Sequence, residues 1–158
     1  MNILKVIFRA PRPSKISDMP ATVTRWWKKK NYAAITFFGY IFTSGENIAH
    51  HLNNRYDSLK NHEMIHLRQA QDTNNSWFCY YLRYLWYSLT AMRYFRKQRN
   101  AQYYLNPFEM EAYLHMNDLT YLDGFEKGAS GWREYAKMPL AERLRIMREN
   151  YLHTYLQE

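Results

Sequence analysis

Residues 59–69, LKNHEMIHLRQ, set His62 and His66 four positions apart, with Glu63 directly after the first histidine. Residues at that spacing share one face of an α-helix, with Cβ atoms roughly 5 to 6 Å apart, close enough for two imidazoles to grip one metal ion. The surrounding residues support such a helix. Asp57 or Ser58 can cap it, and Leu59, His62, Ile65, His66 and Gln69 recur at spacings of three and four. A helix with both histidines on one face is therefore the strongest single constraint on how this chain folds.

The pattern H-E-x-x-H has a specific chemical meaning. Its histidines are zinc ligands, and the glutamate beside the metal accepts a proton from water whose pKa the zinc lowers to about 7. His62 and His66 are thus the expected ligands and Glu63 the expected general base. A catalytic zinc site also needs a third protein ligand and one open position. The downstream candidates are His115, His153, Glu109, Glu111 and Asp118. After His66 the chain runs LRQAQDTNNS, without the nearby histidine of the G-x-x-H spacing, so a distant carboxylate is expected.

Around the motif the sequence alternates between strand and helix signals. ILKVIFR, residues 3–9, reads as a first strand, and APRPSKISDMP, broken by Pro11, Pro13 and Pro20, reads as a surface connection. YAAITFFGYIFTS reads as a strand bent or bulged at Gly39 and closed by the turn signal SGEN, with His50 and His51 beside a loop and solvated. A second helix over residues 76–98 places Phe78, Leu82, Leu85, Leu89 and Met92 on one stripe and Trp77, Tyr80, Tyr84 and Tyr87 on another, and is expected to be largely buried. Its end, MRYFRKQR, gathers Arg93, Arg96, Lys97 and Arg99 where cations complement the helix dipole. Asn106 as cap and Pro107 in the first position start a third helix that carries Glu109 and Glu111 in its first turns. After DGFEKGASG a last helix begins near Pro139, with Leu140, Leu144, Met147, Tyr151 and Tyr155 as its core face.

In this order of elements the chain resembles the gluzincin group of zinc metallopeptidases, whose H-E-x-x-H is completed by a glutamate from a later helix. Membrane-associated proteases of that group carry the glutamate in an E-x-x-A-D motif, and EMEAY reads Glu109-x-x-Ala112-Tyr113. The resemblance spans roughly residues 33–116. Chain length and the order of elements give an α+β, mainly helical single domain over residues 1–158 with a small N-terminal β-sheet, and the resemblance implies that it is zincin-like with Glu109 as the third ligand. Two departures stand out. Tyr113 replaces the aspartate that orients the first histidine, and Arg68 occupies a position that is usually uncharged. Asn106-x-x-Glu109 also has the spacing of a capping box, which gives Glu109 an alternative role, and Glu111 is the fallback ligand. Tyr103, Tyr104, Tyr113 and His115 are conceivable hydrogen-bond donors to a tetrahedral oxyanion.

Composition narrows the setting. One cysteine, Cys79, forms no internal disulfide, and no cleavage pattern follows the N-terminal apolar run, so a reduced, cytoplasmic protein is expected. Arg83 and Arg93 interrupt the most apolar segment, which disfavours a membrane span. The formal net charge of +8 would attract anionic partners of any kind. The expected partner is a peptide or protein substrate, bound along the strand around Thr36–Phe42; anionic membrane contact stays open and nucleic acid is disfavoured. Two rival readings remain. One is a zinc-containing interaction module without turnover. The other is a basic module for anionic lipid or nucleic acid, suggested by RWWKKK and MRYFRKQR.

Overall fold

Phe38 and Gly39 both take positive φ, 47° and 85°, and fold the segment 34–43 back on itself. A two-residue turn of this kind matches the right-handed twist of the strands it joins. The expected single bent strand is therefore a hairpin of β2 (Ala34–Phe37) and β3 (Tyr40–Thr43), paired antiparallel with Phe37 opposite Tyr40. Gly39 signals a turn as readily as a bulge, and Phe38 carries no signal of its positive φ. β1 (Ala21–Val23) pairs parallel with β3, so the sheet order is β1-β3-β2, and β2 lies at an edge among the described residues. The computed structural model describes residues 21–23, 33–125 and 128–152. The expected strand at 3–9, the RWWKKK stretch, His153 and Tyr155 lie outside them.

Seven α-helices follow among the described residues: α1 (Glu46–Asn54), α2 (Ser58–Asp72), α3 (Trp77–Ala91), α4 (Ala101–Tyr104), α5 (Pro107–His115), α6 (Trp132–Lys137) and α7 (Leu140–Asn150). The architecture is α+β, mainly helical with a small three-stranded mixed sheet. α1 corrects the expected loop around His50 and His51. Its apolar residues Ala49 and Leu52 are buried, and Asn53 clamps β1 through both the N–H and the carbonyl of Ala21. His50 is exposed, and His51 pairs with Asp57.

The motif helix α2 is central and mostly polar, yet buried almost all round. Asp57 caps it by accepting from the Lys60 N–H at 3.0 Å. α3 is not largely buried as expected: only Trp77, Tyr80 and Ala91 of its residues are buried, because it lies on the surface with one face against the core. Its aromatic side, with Trp77 and Tyr80, packs on Phe108 and the sheet, whereas the aliphatic stripe of Leu82, Leu85 and Leu89 faces outward. The helix also ends at Ala91, so Arg93, Arg96, Lys97 and Arg99 follow it in a 3-10 turn and a loop rather than in its last turn.

Asn106 caps α5 as expected, with Pro107 in the first position. α7 buries Leu140, Leu144 and Met147 in a second core with Leu105 and Met110, and Tyr151 packs half-buried against it. Among the described residues no helix is long and apolar enough to cross a membrane.

The cap of α2 can be tested directly. Partial burial raises the Asp57 carboxyl pKa, but the Lys60 N–H and the His51 ring outweigh it and hold the group below its usual 3.8. A depressed pKa stabilises the fold above the unfolded value and loses that contribution as pH falls through the folded value. Asp57→Ala is expected to lower stability by about 1 kcal/mol at neutral pH. In urea titrations its deficit should shrink as the pH drops below about 4; an equal deficit at pH 7 and at acid pH contradicts the assignment.

Candidate metal centre

Two polar side chains on α2 fix it antiparallel to α5. Near the start of α2, Asn61 donates to the carbonyls of His115, Met116 and Asp118 at the far end of α5 and accepts from Tyr56 at 2.8 Å. Two turns on, Gln69 donates to the Phe108 carbonyl at 2.9 Å and to Glu111 Oε2 at 2.8 Å. Between these clamps Glu109 lies opposite His62 and His66. Glu109 Oε2 is 3.6 Å from Nε2 of each histidine, and the two Nε2 atoms are 3.1 Å apart.

These three residues are buried and form a group that could hold a metal ion. Ligand atoms around a tetrahedral ion at 2.0 to 2.1 Å lie roughly 3.3 to 3.4 Å from one another, so this triangle nearly matches that spacing. Glu109 Oε2 has no hydrogen-bond partner, and 3.6 Å is too long for one. A buried carboxylate oxygen aimed at two imidazoles without bonding either fits the donor set of a cation.

The surrounding hydrogen bonds select the atoms that face this point. Both Gln69 N–H groups engage acceptors, so its Oε1 must accept, and His66 Nδ1 donates to it at 2.9 Å. His66 Nε2 is thereby turned toward Glu109. The Tyr80 hydroxyl lies 3.2 Å from the same Nδ1. Tyr84 donates to Glu109 Oε1 at 2.7 Å and leaves Oε2 to the histidines. His62 differs: its buried Nδ1 has no partner, and Tyr113 packs edge-on to its ring at 4.5 Å with its hydroxyl on Tyr103, 3.0 Å away. Tyr113 thus supplies packing and no hydrogen bond to the imidazole.

Electrostatics follow from burial and charge. Burial favours a neutral Glu109, but the two histidines and Tyr84 outweigh it and keep the carboxyl below its usual range, ionised. Burial and the neighbouring His66 lower the His62 pKa. Burial opposes the charge on His66 too, but there the Glu109 carboxylate prevails and raises its pKa. Burial raises Glu63, with His66 and the Thr36 hydroxyl pulling the other way, and Thr36 donates to Glu63 Oε2 at 2.5 Å. Burial thus makes the Glu63 carboxylate a readier proton acceptor than a solvated one.

His62, Glu63, His66 and Glu109 line a cleft of about 380 Å³, walled by β2 from Ala34 to Phe37 and by Tyr80, Tyr81, Tyr84 and Tyr103. The other expected ligands lie elsewhere. Glu111 accepts from Gln69, Tyr121 and the Gly131 N–H, so close that a Cβ at Gly131 would meet its carboxylate. Asp118 is exposed and bonded to Thr120. His115 stacks on Tyr121 beside Tyr135. The capping-box role for Glu109 is not realised, because the Asn106 N–H donates to the Tyr103 carbonyl. Arg68 does not line the cleft; its guanidinium donates to the Phe125 carbonyl. Of the conceivable oxyanion donors, Tyr103 lines the cleft and Tyr104, Tyr113 and His115 do not.

The sequence reading missed the roles of Gln69, Tyr84 and Thr36. Gln69 carried a signal, its i+3 position after His66, whereas Tyr84 and Thr36 depend on contacts between distant elements. No protein-family model, no curated protein and no solved structure matches the chain.

Gln69→Leu removes the acceptor that orients His66 and takes one donor each from the Phe108 carbonyl and from Glu111 Oε2. It is expected to weaken zinc binding about 10- to 100-fold in competition with a chromophoric chelator and to destabilise the fold by about 1 to 3 kcal/mol. Unchanged zinc affinity in the folded variant excludes the orienting role.

Proposed function

We propose that the protein is a zinc-dependent peptidase in which His62, His66 and Glu109 hold the metal and Glu63 is the general base. The observation that carries this reading is the convergence of Oε2 and two Nε2 atoms on one buried point, with Glu63 beside it in the same cleft. A zinc ion held there would supply Lewis acidity toward a carbonyl oxygen and would lower the pKa of water to about 7. Every other part is played by residues of the chain.

Glu63 takes the proton from the attacking water as its oxygen bonds to the peptide carbonyl carbon, then delivers that proton to the amine as the C–N bond breaks. Thr36 holds one oxygen of this carboxylate and so fixes its direction. The Tyr103 hydroxyl, which burial keeps protonated, donates to the developing oxyanion. The substrate would lie extended along β2. In a two-residue hairpin the pair next to the turn bonds across the strands, so the polar groups of Ala34 and Thr36 point away from β3. They can pair with a peptide backbone, as a strand added at the edge of the sheet. The Tyr81 hydroxyl already donates to the Thr36 carbonyl at 3.4 Å and accepts from the Phe38 N–H at 3.0 Å, which closes the turn end of that edge.

One observation favours a second reading. His62 Nδ1 is buried without a partner, where an orienting carboxylate would raise the basicity of the ligand. A metal held without turnover fits that gap.

The two readings separate on four preparations. About one zinc per chain is expected in the purified protein, and His62→Ala and Glu109→Ala should lose it. Glu63→Gln should retain zinc while peptide hydrolysis falls by at least about 100-fold. Zinc in the wild type without cleavage of any member of a random peptide library establishes the idle module, and folded wild type that takes up no zinc sinks both readings.

A further inference from the structure

α3 has two apolar faces, and the fold covers only one. At 100° per residue, Leu82, Leu85, Trp86 and Leu89 fall within an arc of roughly 100°, opposite the side that buries Trp77, Tyr80 and Ala91. The stripe continues past the helix end through Met92 and Phe95. These six residues are 51–64% exposed. Scattered apolar residues on a surface need no explanation, but a contiguous stripe along a helix roughly 22 Å long, at 1.5 Å per residue, marks an interaction surface.

Charge identifies its occupant. From Thr73 to Phe108 the chain has no Asp or Glu but has Arg83, Arg93, Arg96, Lys97 and Arg99. The last four follow the stripe directly and are exposed. Residues 1–32 add eight Lys and Arg against Asp18 alone, so these two stretches hold thirteen of the 22 basic residues and one of the 14 acidic ones. A second copy docked by a two-fold axis would bring the same cations together, and the basic N-terminal stretch offers them no counter-charge. We propose that the outer face of α3 docks on an anionic lipid bilayer, lying in the interface with its leucines in the acyl boundary and Arg93, Arg96, Lys97 and Arg99 on the phosphates.

The parts suit that position. Trp86, the most exposed of the six, is of the residue type that prefers the headgroup level, and cations beside an apolar helix face add to the pull of anionic lipid. No described helix can span the bilayer, so the contact is peripheral. The inner face of the same helix supplies Tyr80, Tyr81 and Tyr84 to the cleft, so docking holds the cleft about one helix diameter, roughly 10 Å, from the headgroups. This surface is independent of the peptidase reading and of metal.

Flotation of the full chain with phosphatidylcholine vesicles, with and without phosphatidylserine, tests it. Binding should require phosphatidylserine and fall as salt rises. Leu85→Ser with Leu89→Ser should reduce it roughly tenfold or more while zinc content and circular dichroism stay unchanged. Arg96→Gln with Arg99→Gln should reduce it about fivefold per charge on the anionic vesicles. Failure to float, or flotation that the leucine pair leaves unchanged, overturns the proposal. A concentration-dependent dimer in sedimentation equilibrium that the leucine pair dissolves also overturns it, by assigning the face to a second copy.

Discussion

Burying a helix as polar as α2 imposes the constraint on which the rest of the structure depends. Lys60, Asn61, His62, Glu63, His66, Gln69 and Gln71 are all buried, and a buried polar group left without a partner costs about 1 to 3 kcal/mol. The fold meets this demand by placing acceptors and donors at particular points on neighbouring elements. The two N–H donors of Asn61 are satisfied by carbonyls at and just beyond the end of α5, and those of Gln69 by the Phe108 carbonyl and Glu111 at its start. Two such clamps, about two turns apart, leave one antiparallel register for α5. Glu109 is carried to the histidines by the same bonds that satisfy the helix, so folding and assembly of the cluster are one event.

That coupling explains which parts of the structure were legible in the sequence. Local chemistry was readable: the Asp57 cap, the Asn106 cap with Pro107, the inward face of α7 from Leu140 to Met147, and the i, i+4 histidines. Features set by distant partners were not. The two stripes of α3 are both apolar, and periodicity cannot tell which one meets the core. The choice falls to the tyrosine side because its rings fit around Phe108 and its hydroxyls find Glu109, His66 and the Thr36 carbonyl. Glu109 and Glu111 could not be separated by spacing either. They part because one meets two histidines and Tyr84, while the other meets Gln69, Tyr121 and the Gly131 N–H. The hairpin was hidden for a different reason: Phe38 adopts a conformation that its side chain does not favour, held by the pairing of β2 with β3 and by the Tyr81 hydroxyl on its N–H.

The cluster carries a concentration of buried charge that the fold alone balances only in part. Glu109 and Glu63 are both carboxylates in the same cleft, and His62 and His66 disfavour each other's protonation. Without a cation, Glu109 draws its counter-charge from His66, the histidine best supported from behind by Gln69 and Tyr80. A cation held at this point would resolve the conflict without any proton on either imidazole, because it would present positive charge to all three side chains at once. The missing partner on His62 Nδ1 then falls on the ligand that contributes least to this internal pairing.

The abundance of tyrosine around the cleft follows from the same electrostatics. Tyr80, Tyr84 and Tyr103 place neutral donors on or near charged groups, and burial together with Glu109 raises each phenol pKa, so none competes as an anion. A carboxylate or an amine in any of these positions would add another buried charge to a site that already has several. A phenylalanine in place of Tyr84 would take the hydrogen bond from Glu109 Oε1. Tyrosine supplies an apolar wall, which keeps the local dielectric low and the ligand charges effective, and a hydroxyl at its tip that reaches the ligand. The tyrosines that line the cleft and the polarity of the central helix are thus two consequences of enclosing one charged cluster in a small fold.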